Sequence, residues 1–383
     1  MVPADRPDVL AGRTLLFFVT EDFYFESHRL PLALAARDAG LRVVLVTRCG
    51  ERSAHLRQLG IEVIPLEIER GSVNLVRDLA LLCRLCGIYR QVRPDVVHHV
   101  AMKPVIYGSL AARVTGIHRV VNALAGLGFV FSSSAPKARL LRPIVRLLLR
   151  FVLAAPGSRL ILQNRDDQAM FPREGLCPME QIRLVPGVGV DLQRFIVQPE
   201  PEGRVRIVLP ARMLADKGVV EFVEAARMLR ERGLEAECVL VGGTDSQNPA
   251  AISEKQLRSW HDAGLVSWIG HCADMPSSLA ACHIVCLPSY REGLPKALLE
   301  ACASGRPIVT TDVPGCRDVV RDEVNGLLAR VRDAADLADK LARLVTDPEL
   351  RRRMGAAGRV SAELNFSSAR SAEQTLDIYR ELI

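Results

Sequence analysis

The chain has 383 residues, of which 49% are hydrophobic, and this predicts two or three domains with a sizeable buried core. Its formal net charge of +6 is small and the charged residues are interspersed, so we expect no nucleic acid among its partners. The ten cysteines are scattered and show no metal-binding spacing with histidine, which favours a reduced, intracellular protein; Cys83 and Cys86 stand three apart in a helical pattern without a second such pair, which favours core packing.

Residues 1–13 are polar and contain proline, and they lack the basic, apolar and small-residue sections of a signal peptide. No run of eighteen apolar residues is free of charge, so the sequence predicts no transmembrane helix. We therefore expect a cytoplasmic protein.

The first half of the chain alternates short apolar strands with helical patterns, and glycines fall where the helices should end. This alternation predicts parallel strands joined by crossover helices, which is a doubly wound α/β sheet. The predicted strands are Thr14–Val19, Arg42–Thr47, Glu62–Pro65, Asp95–His99, Arg119–Asn122 and Arg159–Leu162, and the predicted helices include His28–Ala39, Val73–Val92 and Val105–Val114.

The second half repeats this plan after a polar linker at Gln198–Gly203. The predicted domains are therefore residues 1–198 and 205–365, followed by a C-terminal helix over 366–383 that can cross back to the first domain. The predicted strands are Val205–Leu209, Ala236–Val241, Val266–Ile269, Ile284–Leu287 and Pro307–Thr310, and the helices lie near Gly218–Arg232, Gln256–Ala263 and Leu294–Ala303.

Two carboxylates stand eight positions apart, Glu292 in a loop and Glu300 in the helix that follows it. Between them, Gly293 frees the backbone and Pro295 suits the first turn of a helix. The N–H groups of a first helical turn lack partners within the helix, so this junction is a site for a diphosphate, with help from the backbone of Gly293 and Leu294. Taken alone, such a glutamate pair is more often a solvated helix face.

Two cations, Arg212 and Lys217, lie five positions apart in the loop after a predicted strand. Such a loop can direct both charges onto a diphosphate, although an exposed helix start is the commoner explanation for an isolated case. The next strand ends at Gly242 and Gly243, where the backbone can approach a ligand closely. His271 follows another strand and is either a donor contact or a plain loop histidine.

Adjacent histidines, His98 and His99, end a predicted strand in the first half and point to opposite faces of the sheet. Either one of them packs and the other faces a cleft, or both are core histidines. Lys103 follows at the start of a helix and is a candidate for an acceptor phosphate.

A basic, apolar stretch near the middle of the chain carries arginines at spacings of three and four, on one face of a helix, with leucine and valine elsewhere. This pattern is typical of an interfacial membrane helix, and it fits an ordinary amphipathic helix packed on the sheet about equally well. The arginines are Arg139, Arg142, Arg146 and Arg150.

The segment containing Glu292 and Glu300 resembles the glutamate-x7-glutamate signature of retaining glycosyltransferases of the family 4 type. The loop of Arg212 and Lys217 resembles that family's donor-phosphate motif, and Gly189 lies in a turn similar to its Gly-x-Gly-Val-Asp turn. The resemblance implies the GT-B architecture, in which two doubly wound Rossmann-like domains face a cleft. It also implies donor binding by these residues, with Glu292 near the sugar, Glu300 on the ribose and Gly189 near the donor.

Two further segments resemble bacterial enzymes that extend sugars on polyprenyl diphosphate carriers. These are Glu26–Pro31, which contains His28, and the loop of Gly126 and Gly128. The resemblance implies an acceptor site formed by His28, Lys103, Gly126 and Gly128. The resemblance also implies a catalytic role for one of the two histidines. The family's catalytic-region His-x-His pattern is changed here, because Val100 stands at the second histidine position, so either His98 or His99 holds this role, with His98 preferred by register.

The sequence thus predicts a retaining glycosyltransferase that moves a sugar from a nucleotide-sugar, most simply a UDP-sugar, to a polyprenyl-diphosphate-linked acceptor. No Asp-x-Asp motif is present in a strand–loop setting, so we expect neither a metal nor a cofactor, the nucleotide-sugar being a substrate. The enzyme would be peripherally associated with the inner face of the plasma membrane. The alternatives are a nucleotide-sugar epimerase of the same fold and a non-catalytic sugar-nucleotide-binding subunit.

Overall fold

The computed structural model of the chain describes residues 9–68, 74–124, 126, 136–245, 248 and 250–383. They form two compact units: unit 1 contains Met1–Val188 and Ser368–Ile383, and unit 2 contains Gly189–Ser367. Each unit is built on a parallel sheet that carries helices on both faces. The predicted fold class, an α/β protein with two doubly wound Rossmann-like domains, is therefore confirmed.

Unit 1 contains a parallel sheet whose strands are β1 (Thr14–Glu21), β2 (Arg42–Arg48), β3 (Glu62–Pro65), β4 (Val96–Val100), β5 (Val120–Ala123), β6 (Ser158–Leu162) and β7 (Ile182–Leu184). Their order across the sheet is β3-β2-β1-β4-β5-β6-β7. Successive strands are added in one direction from β1 to β3 and in the opposite direction from β4 to β7, so the strand order reverses between β1 and β4. Doubly wound sheets bind ligands at the carboxyl ends of the strands beside such a point.

The helices of unit 1 that follow these strands are α1 (Asp22–Asp38), α2 (Ser53–Gln58), α3 (Leu75–Val92), α4 (Met102–Thr115), α5 (Pro136–Leu153) and α6 (Arg165–Arg173). Successive side chains of β1 enter different cores because strand residues alternate between faces. Phe17 packs with α1, whereas Phe18 packs with α3 and α4. The strands are apolar on both faces for this reason.

Unit 2 contains a second parallel sheet whose strands are β8 (Val205–Pro210), β9 (Ala236–Val241), β10 (Ser267–Trp268), β11 (Ile284–Leu287), β12 (Ile308–Thr311) and β13 (Gly326–Ala329). Their order is β10-β9-β8-β11-β12-β13, which puts the reversal between β8 and β11. The helices are α7 (Val219–Glu231), α8 (Glu254–Asp262), α9 (Met275–Ala280), α10 (Lys296–Ala303), α11 (Cys316–Val319), α12 (Ala334–Thr346) and α13 (Pro348–Asn365).

The division between the units falls at Gly189, ahead of residue 198, where the sequence predicts the end of the first domain. The segment before the polar linker is held by unit 2. Val190 donates its backbone N–H to the carbonyl of Phe366 at 2.8 Å. Phe195 is buried in the unit 2 core, and its carbonyl accepts from Arg359 at 2.8 Å. These contacts lie before any composition change, so linker composition alone does not locate the boundary.

The last helix, α14 (Ser368–Leu382), returns to unit 1 and packs on α1. Tyr379 is fully buried there, and the carbonyl of Leu382 accepts from the side chain of Arg119 at 2.8 Å. Glu381 accepts from both Arg159 and Arg183. The cations of two strands thus fix the end of the chain to unit 1.

Helix α1 begins at Asp22, directly after β1 and six residues before the predicted start at His28. The Asp22 carboxylate stabilises this first turn, because it accepts from the Gly50 backbone at 2.6 Å and from Ser53 Oγ at 2.8 Å. These partners are distant in sequence, so local pattern does not reveal them. Strands β7 and β13 are also absent from the prediction, because β7 has only three residues with a charged one at its centre and β13 begins at a glycine.

Candidate functional site

The centre of the candidate site is an ion pair between Lys217 Nζ and Glu292 Oε1, which brings together two residues 75 positions apart. Lys217 lies in the turn between β8 and α7, and Glu292 lies in the loop after β11. Ser289 Oγ donates to the same carboxylate oxygen at 2.7 Å. Both residues therefore stand at the carboxyl ends of the two strands that flank the reversal in the unit 2 sheet.

Glycine is required at two positions around this ion pair. Gly218 has φ of +73°, and a Cβ there would lie 2.1 Å from the carbonyl oxygen of Pro288. Gly315 has φ of +79°, and a Cβ there would lie 2.5 Å from the carbonyl oxygen of Gly293. The close packing of these turns sets the position of the Glu292 loop, because any side chain at either glycine would push it away.

Arg212 stands in the same loop as Lys217, with its side chain 55% exposed, and Nη1 donates to Asp245 Oδ2 at 2.6 Å. The backbone of Gly243 joins the two segments, because its carbonyl accepts from Met213 at 3.0 Å. A Cβ on Gly242 would lie only 1.7 Å from the carbonyl of Ala211, so the chain passes the Arg212 loop too closely for any other residue.

His271 is exposed next to this pair of glycines, since a Cβ on Gly243 would lie 3.9 Å from the Cβ of His271. Trp268 supports the same turn, because its Nε1 donates to the carbonyl of Gly242 at 2.9 Å. Gly189, which has φ of +68°, precedes the buried Val190 where unit 2 begins.

Helix α10 begins after Pro295, which is its N-cap residue, and the side chain of Leu294 is buried in the unit 2 core. Glu300 lies inside this helix with its side chain 11% exposed, and Lys296 Nζ stands 3.5 Å from its carboxylate. Burial raises the pKa of Glu300, while Lys296 and Arg194 act to lower it. This is a largely desolvated carboxylate, which can accept hydrogen bonds from the hydroxyl groups of a ligand.

Both predicted donor cations are thus held by carboxylates, Lys217 by Glu292 and Arg212 by Asp245. An anionic ligand can take over these cations, since a diphosphate offers stronger acceptors in the same place. Sequence reasoning did not identify Asp245 or Ser289. The available signals were the position of Asp245 just after a glycine turn and that of Ser289 three residues before Glu292.

The two histidines of β4 are buried in unit 1, with His98 only 1% and His99 0% exposed. His98 Nδ1 pairs with the hydroxyl of Tyr379 at 2.6 Å on the α1 side of the sheet. On the other side, His99 Nε2 pairs with Tyr89 at 2.9 Å and Nδ1 with Asn122 at 2.9 Å. The two rings lie on opposite faces of the sheet as expected, and both are buried, as the alternative of two core histidines expects. A catalytic role for either histidine stays a prediction.

The buried state of His99 predicts that the protein loses stability on acidification. Burial lowers the pKa of His99 from 6.5 to about 4, so the unfolded chain takes up its proton first. Between these values the unfolded state binds more protons, and the free energy of unfolding should fall by about 3 kcal/mol in all. Urea unfolding between pH 7 and pH 4 measures this loss.

The matched variant is His99→Gln, which keeps hydrogen-bonding groups but cannot titrate. Burial also lowers the pKa of His98, so part of the pH dependence should remain in this variant. An unchanged dependence of the unfolding free energy on pH would show that His99 does not drive the loss.

The predicted acceptor residues of unit 1 are scattered over α1, α4 and the segment after β5. His28 lies inside α1, where its ring stacks on Tyr24 at 4.4 Å and its Nδ1 pairs with Ser27 Oγ at 2.6 Å. Lys103 Nζ pairs with Asp78 at 3.1 Å and is 17% exposed. Gly126 is described and is partly buried, whereas Gly128 lies outside the described residues.

Helix α5 contains the predicted arginines, and among its side chains that the structure describes, from Arg142 onward, the exposed ones are largely apolar. Ile144, Leu147 and Phe151 are 56%, 70% and 53% exposed, and their spacing of three and four places them on one stripe. Arg146 pairs with Glu174, and Arg150 is exposed. Leu149, Val152 and Leu153 form the buried side.

The other two arginines of the predicted face are Arg139 and Arg142. Arg142 is partly buried and has a partner, and the side chain of Arg139 lies outside the described residues. In the part of the chain that the structure describes, α5 and every other helix are too short or too polar to cross a bilayer.

Both units match models of known protein families. Residues 193–361, which lie in unit 2 and include Lys217 and Glu292, match the family described as "Glycosyl transferases group 1". Residues 14–155, which lie in unit 1, match the family described as "Glycosyl transferase 4-like".

The chain also resembles individual proteins over nearly its whole length. It is 30% identical over 368 residues to the N,N'-diacetylbacillosaminyl-diphospho-undecaprenol alpha-1,3-N-acetylgalactosaminyltransferase of Campylobacter jejuni, covering 93% of this chain and 95% of the relative. It is 26% identical over 325 residues to the UDP-Gal:alpha-D-GlcNAc-diphosphoundecaprenol alpha-1,3-galactosyltransferase of Escherichia coli, covering 82% of each.

Among solved structures, HepE of Anabaena in complex with UDP and glucose aligns with a TM-score of 0.77 at 18% identity, covering 95% of this chain and 98% of that one. Sucrose-phosphate synthase from Thermosynechococcus elongatus aligns with a TM-score of 0.79 at 19% identity, covering 97% and 99%. At these identities the likeness concerns the fold alone, and it agrees with the predicted GT-B class.

Proposed function

The chain belongs to the glycosyltransferases, and from this membership we propose that it transfers a sugar from a UDP-sugar to a polyprenyl-diphosphate-linked acceptor, with retention of anomeric configuration. The names of two relatives support the acceptor class, since both contain diphosphoundecaprenol, and one of them names UDP-Gal as donor. Retention is supported by the resemblance of the Glu292–Glu300 segment to the family 4 signature.

The observation that carries the proposal is the Lys217–Glu292 ion pair, set at the carboxyl ends of β8 and β11 and beside the N-terminus of α10. A cation, a carboxylate and a helix N-terminus together suit a donor that has a negative diphosphate next to a neutral sugar. The helix N-terminus and the lysine attract the phosphates, and the carboxylate is suited to hydroxyl groups.

In the proposed reaction, Lys217 and Arg212 leave their carboxylates and bind the donor diphosphate, with the backbone of Gly293 and Leu294 contributing. The bond between the anomeric carbon and the diphosphate oxygen breaks, a bond to the acceptor hydroxyl oxygen forms, and the proton of that hydroxyl passes to an oxygen of the departing diphosphate. Negative charge grows on the departing nucleoside diphosphate, where the fixed cations stabilise it. Glu292, released from Lys217, contacts the sugar.

The rest of the donor is proposed to lie along the neighbouring loops. Glu300 accepts hydrogen bonds from the ribose hydroxyls, a role suited to its desolvated carboxylate. The nucleotide base lies near Gly242, Gly243 and His271, where the glycines permit close approach of the ligand. Gly189 shapes the start of unit 2 near the donor.

We predict that transfer does not depend on a divalent metal, because fixed cations and a helix N-terminus supply the positive charge. Activity should therefore survive dialysis followed by excess EDTA, within about twofold of the untreated enzyme. Loss of activity in EDTA that magnesium or manganese restores would contradict this prediction.

The acceptor is proposed to bind unit 1 at His28, Lys103, Gly126 and Gly128. Lys103 is the candidate for an acceptor phosphate, in which case the phosphate competes with Asp78 for its ammonium group. His28 stands in the second turn of α1, and α1 begins at the carboxyl end of β1, where ligands of such sheets bind.

Helix α5 is proposed to hold the enzyme at the inner face of the plasma membrane, where a lipid-linked acceptor resides. The exposed stripe of Ile144, Leu147 and Phe151 supports insertion into the acyl boundary, and the neighbouring arginines support contact with anionic headgroups. Electrostatic attraction to the headgroups, which depends on salt, and insertion of the apolar stripe, which does not, would therefore act together.

We expect the protein to co-sediment with anionic liposomes and to lose most of this binding when the four arginines become glutamine. Each basic residue near the surface contributes about 1 kcal/mol, and the loss should be clearest at low salt because exposed charges are screened. The variant replaces Arg139, Arg142, Arg146 and Arg150.

A second variant, in which Ile144, Leu147 and Phe151 become serine, should lose the binding that persists at high salt. Donor binding should be unchanged in both variants, since the proposed donor residues belong to unit 2. Wild-type sedimentation of both variants with anionic liposomes would contradict the membrane role of α5.

A thermal-shift panel of UDP-, GDP- and ADP-sugars tests the proposed donor class. A UDP-sugar should raise the melting temperature of the wild type, and Glu300→Gln should reduce that shift, because a ligand stabilises only the state that binds it and this variant should bind the donor more weakly. Absence of any shift would contradict nucleotide-sugar binding. A shift without sugar transfer to any acceptor would favour the non-catalytic subunit, and conversion of the donor to an epimer would favour the epimerase.

A further inference from the structure

Tyr290 joins the segment that carries Glu292 to the segment that carries Lys217. It lies after β11, two residues before Glu292. Its backbone N–H donates to the carbonyl of Asp216 at 2.9 Å, and its hydroxyl donates to Glu221 Oε1 at 2.6 Å. Asp216 precedes Lys217 directly, and Glu221 stands in the first turn of α7 that follows it.

The ring of Tyr290 is also held from a third element. The guanidinium carbon of Arg332, in the turn between β13 and α12, lies 4.5 Å from the ring centroid. Arg332 has φ of +59°, a left-handed conformation that non-glycine residues adopt rarely and that marks a constrained position. The hydroxyl, the backbone and one ring face of Tyr290 are thus fixed by separate parts of unit 2.

The hydrogen bond between Tyr290 and Glu221 is suited to a lasting structural role. Burial and the neighbouring Glu221 raise the pKa of Tyr290 to about 12, so the hydroxyl keeps its proton and remains a donor. The second oxygen of Glu221 is buried without a hydrogen-bond partner among the described residues. The Glu221 carboxylate therefore depends on the hydrogen bond from Tyr290. Loss of this bond would leave both polar groups without a partner, which is unfavourable for buried groups.

We propose that Tyr290 and Glu221 are positioning residues that hold Lys217 and Glu292 at a fixed separation during sugar transfer. The inference rests on the proposed function. When a donor diphosphate takes Lys217, the direct ion pair with Glu292 opens, and nothing in that pair then fixes the two groups. The Tyr290–Glu221 bond does not involve the donor, so it continues to join the two segments while the charge develops.

The test compares Tyr290→Phe, Glu221→Leu, the double variant and Glu221→Gln in steady-state sugar transfer. Tyr290→Phe keeps the ring under Arg332 and removes only the hydroxyl, so kcat should fall about tenfold with the KM for donor within about twofold. The double variant should be no worse than Glu221→Leu, because both changes remove the same bond. Glu221→Gln retains an acceptor oxygen and should keep most of the activity.

Glu224→Gln is the matched control, since Glu224 lies on the same helix and pairs with Arg227. It should behave as wild type in kcat and melting temperature. A kcat for Tyr290→Phe within about twofold of wild type, or losses that add in the double variant, would overturn the inference. A wild-type enzyme that transfers no sugar would contradict the proposed function. An active wild type whose kcat is unchanged by Tyr290→Phe would contradict only the present inference.

Discussion

In Lys217→Ala, the rate of sugar transfer should fall by about two to three orders of magnitude, because the lost cation acts most strongly as the nucleoside diphosphate departs. The structure supports this expectation by placing the ammonium of Lys217 beside Glu292 at the carboxyl ends of β8 and β11. The loss should appear mainly in kcat, since the charge on the leaving group is greatest in the transition state.

Two companion variants separate the role of Lys217 from general damage to unit 2. Lys255→Ala removes an exposed lysine from the same unit and should leave kcat unchanged. Lys217→Ala combined with Glu292→Gln tests whether an unpaired Glu292 causes the loss, in which case the double variant would recover to the activity of Glu292→Gln alone. Arg212→Lys should also lose activity, because the ammonium group of lysine does not reproduce the bidentate hydrogen bonds that a guanidinium group makes to phosphate. Rates within about twofold of wild type for Lys217→Ala and Arg212→Lys would mean that the phosphates bind elsewhere.

Glu292→Gln and Glu300→Gln should give different kinetic defects. Glu292 lies against the proposed leaving-group cation, so its amide should lower kcat by about tenfold or more with little change in donor affinity. Glu300 is proposed to hold the ribose, so its amide weakens charge-assisted hydrogen bonds and should raise the dissociation constant of the donor by about tenfold.

The pH dependence of donor binding provides a second readout for Glu300. Burial raises the pKa of this carboxyl, so wild-type donor affinity should decline on acidification at a higher pH than an ordinary glutamate would give. Glu300→Gln should lack this decline. Identical kinetic defects in Glu292→Gln and Glu300→Gln would contradict the division of roles.

The sheets and the donor segments could be predicted from sequence because their signals are local. Buried parallel strands are continuous apolar runs, and β3, β9 and β11 have the predicted bounds. The glutamate pair and the Arg212–Lys217 loop are compact motifs with fixed spacing. Side-chain partners were harder to predict, since the contacts of Lys217 with Glu292 and of Arg212 with Asp245 join residues far apart in the chain.

The histidines and helix α5 show why a residue pattern can misplace a side chain. Alternation along β4 correctly predicts that its two histidines lie on opposite faces of the sheet. It does not reveal that α14, at the far end of the sequence, packs over His98. Likewise, helical spacing predicts an arginine face on α5, whereas the partner of Arg146 is Glu174, the residue at the end of α6. In both cases the deciding contact is non-local.

The most direct test of the central claim is to incubate the purified enzyme with a UDP-sugar and a polyprenyl-diphosphate-linked sugar, and to analyse the lipid product. Mass spectrometry should show an acceptor lengthened by one sugar, and NMR should show that the new linkage keeps the anomeric configuration of the donor. An inverted linkage would contradict retention. Unchanged lipid with a panel of UDP-, GDP- and ADP-sugars, from enzyme that binds nucleotide, would contradict transfer to this class of acceptor.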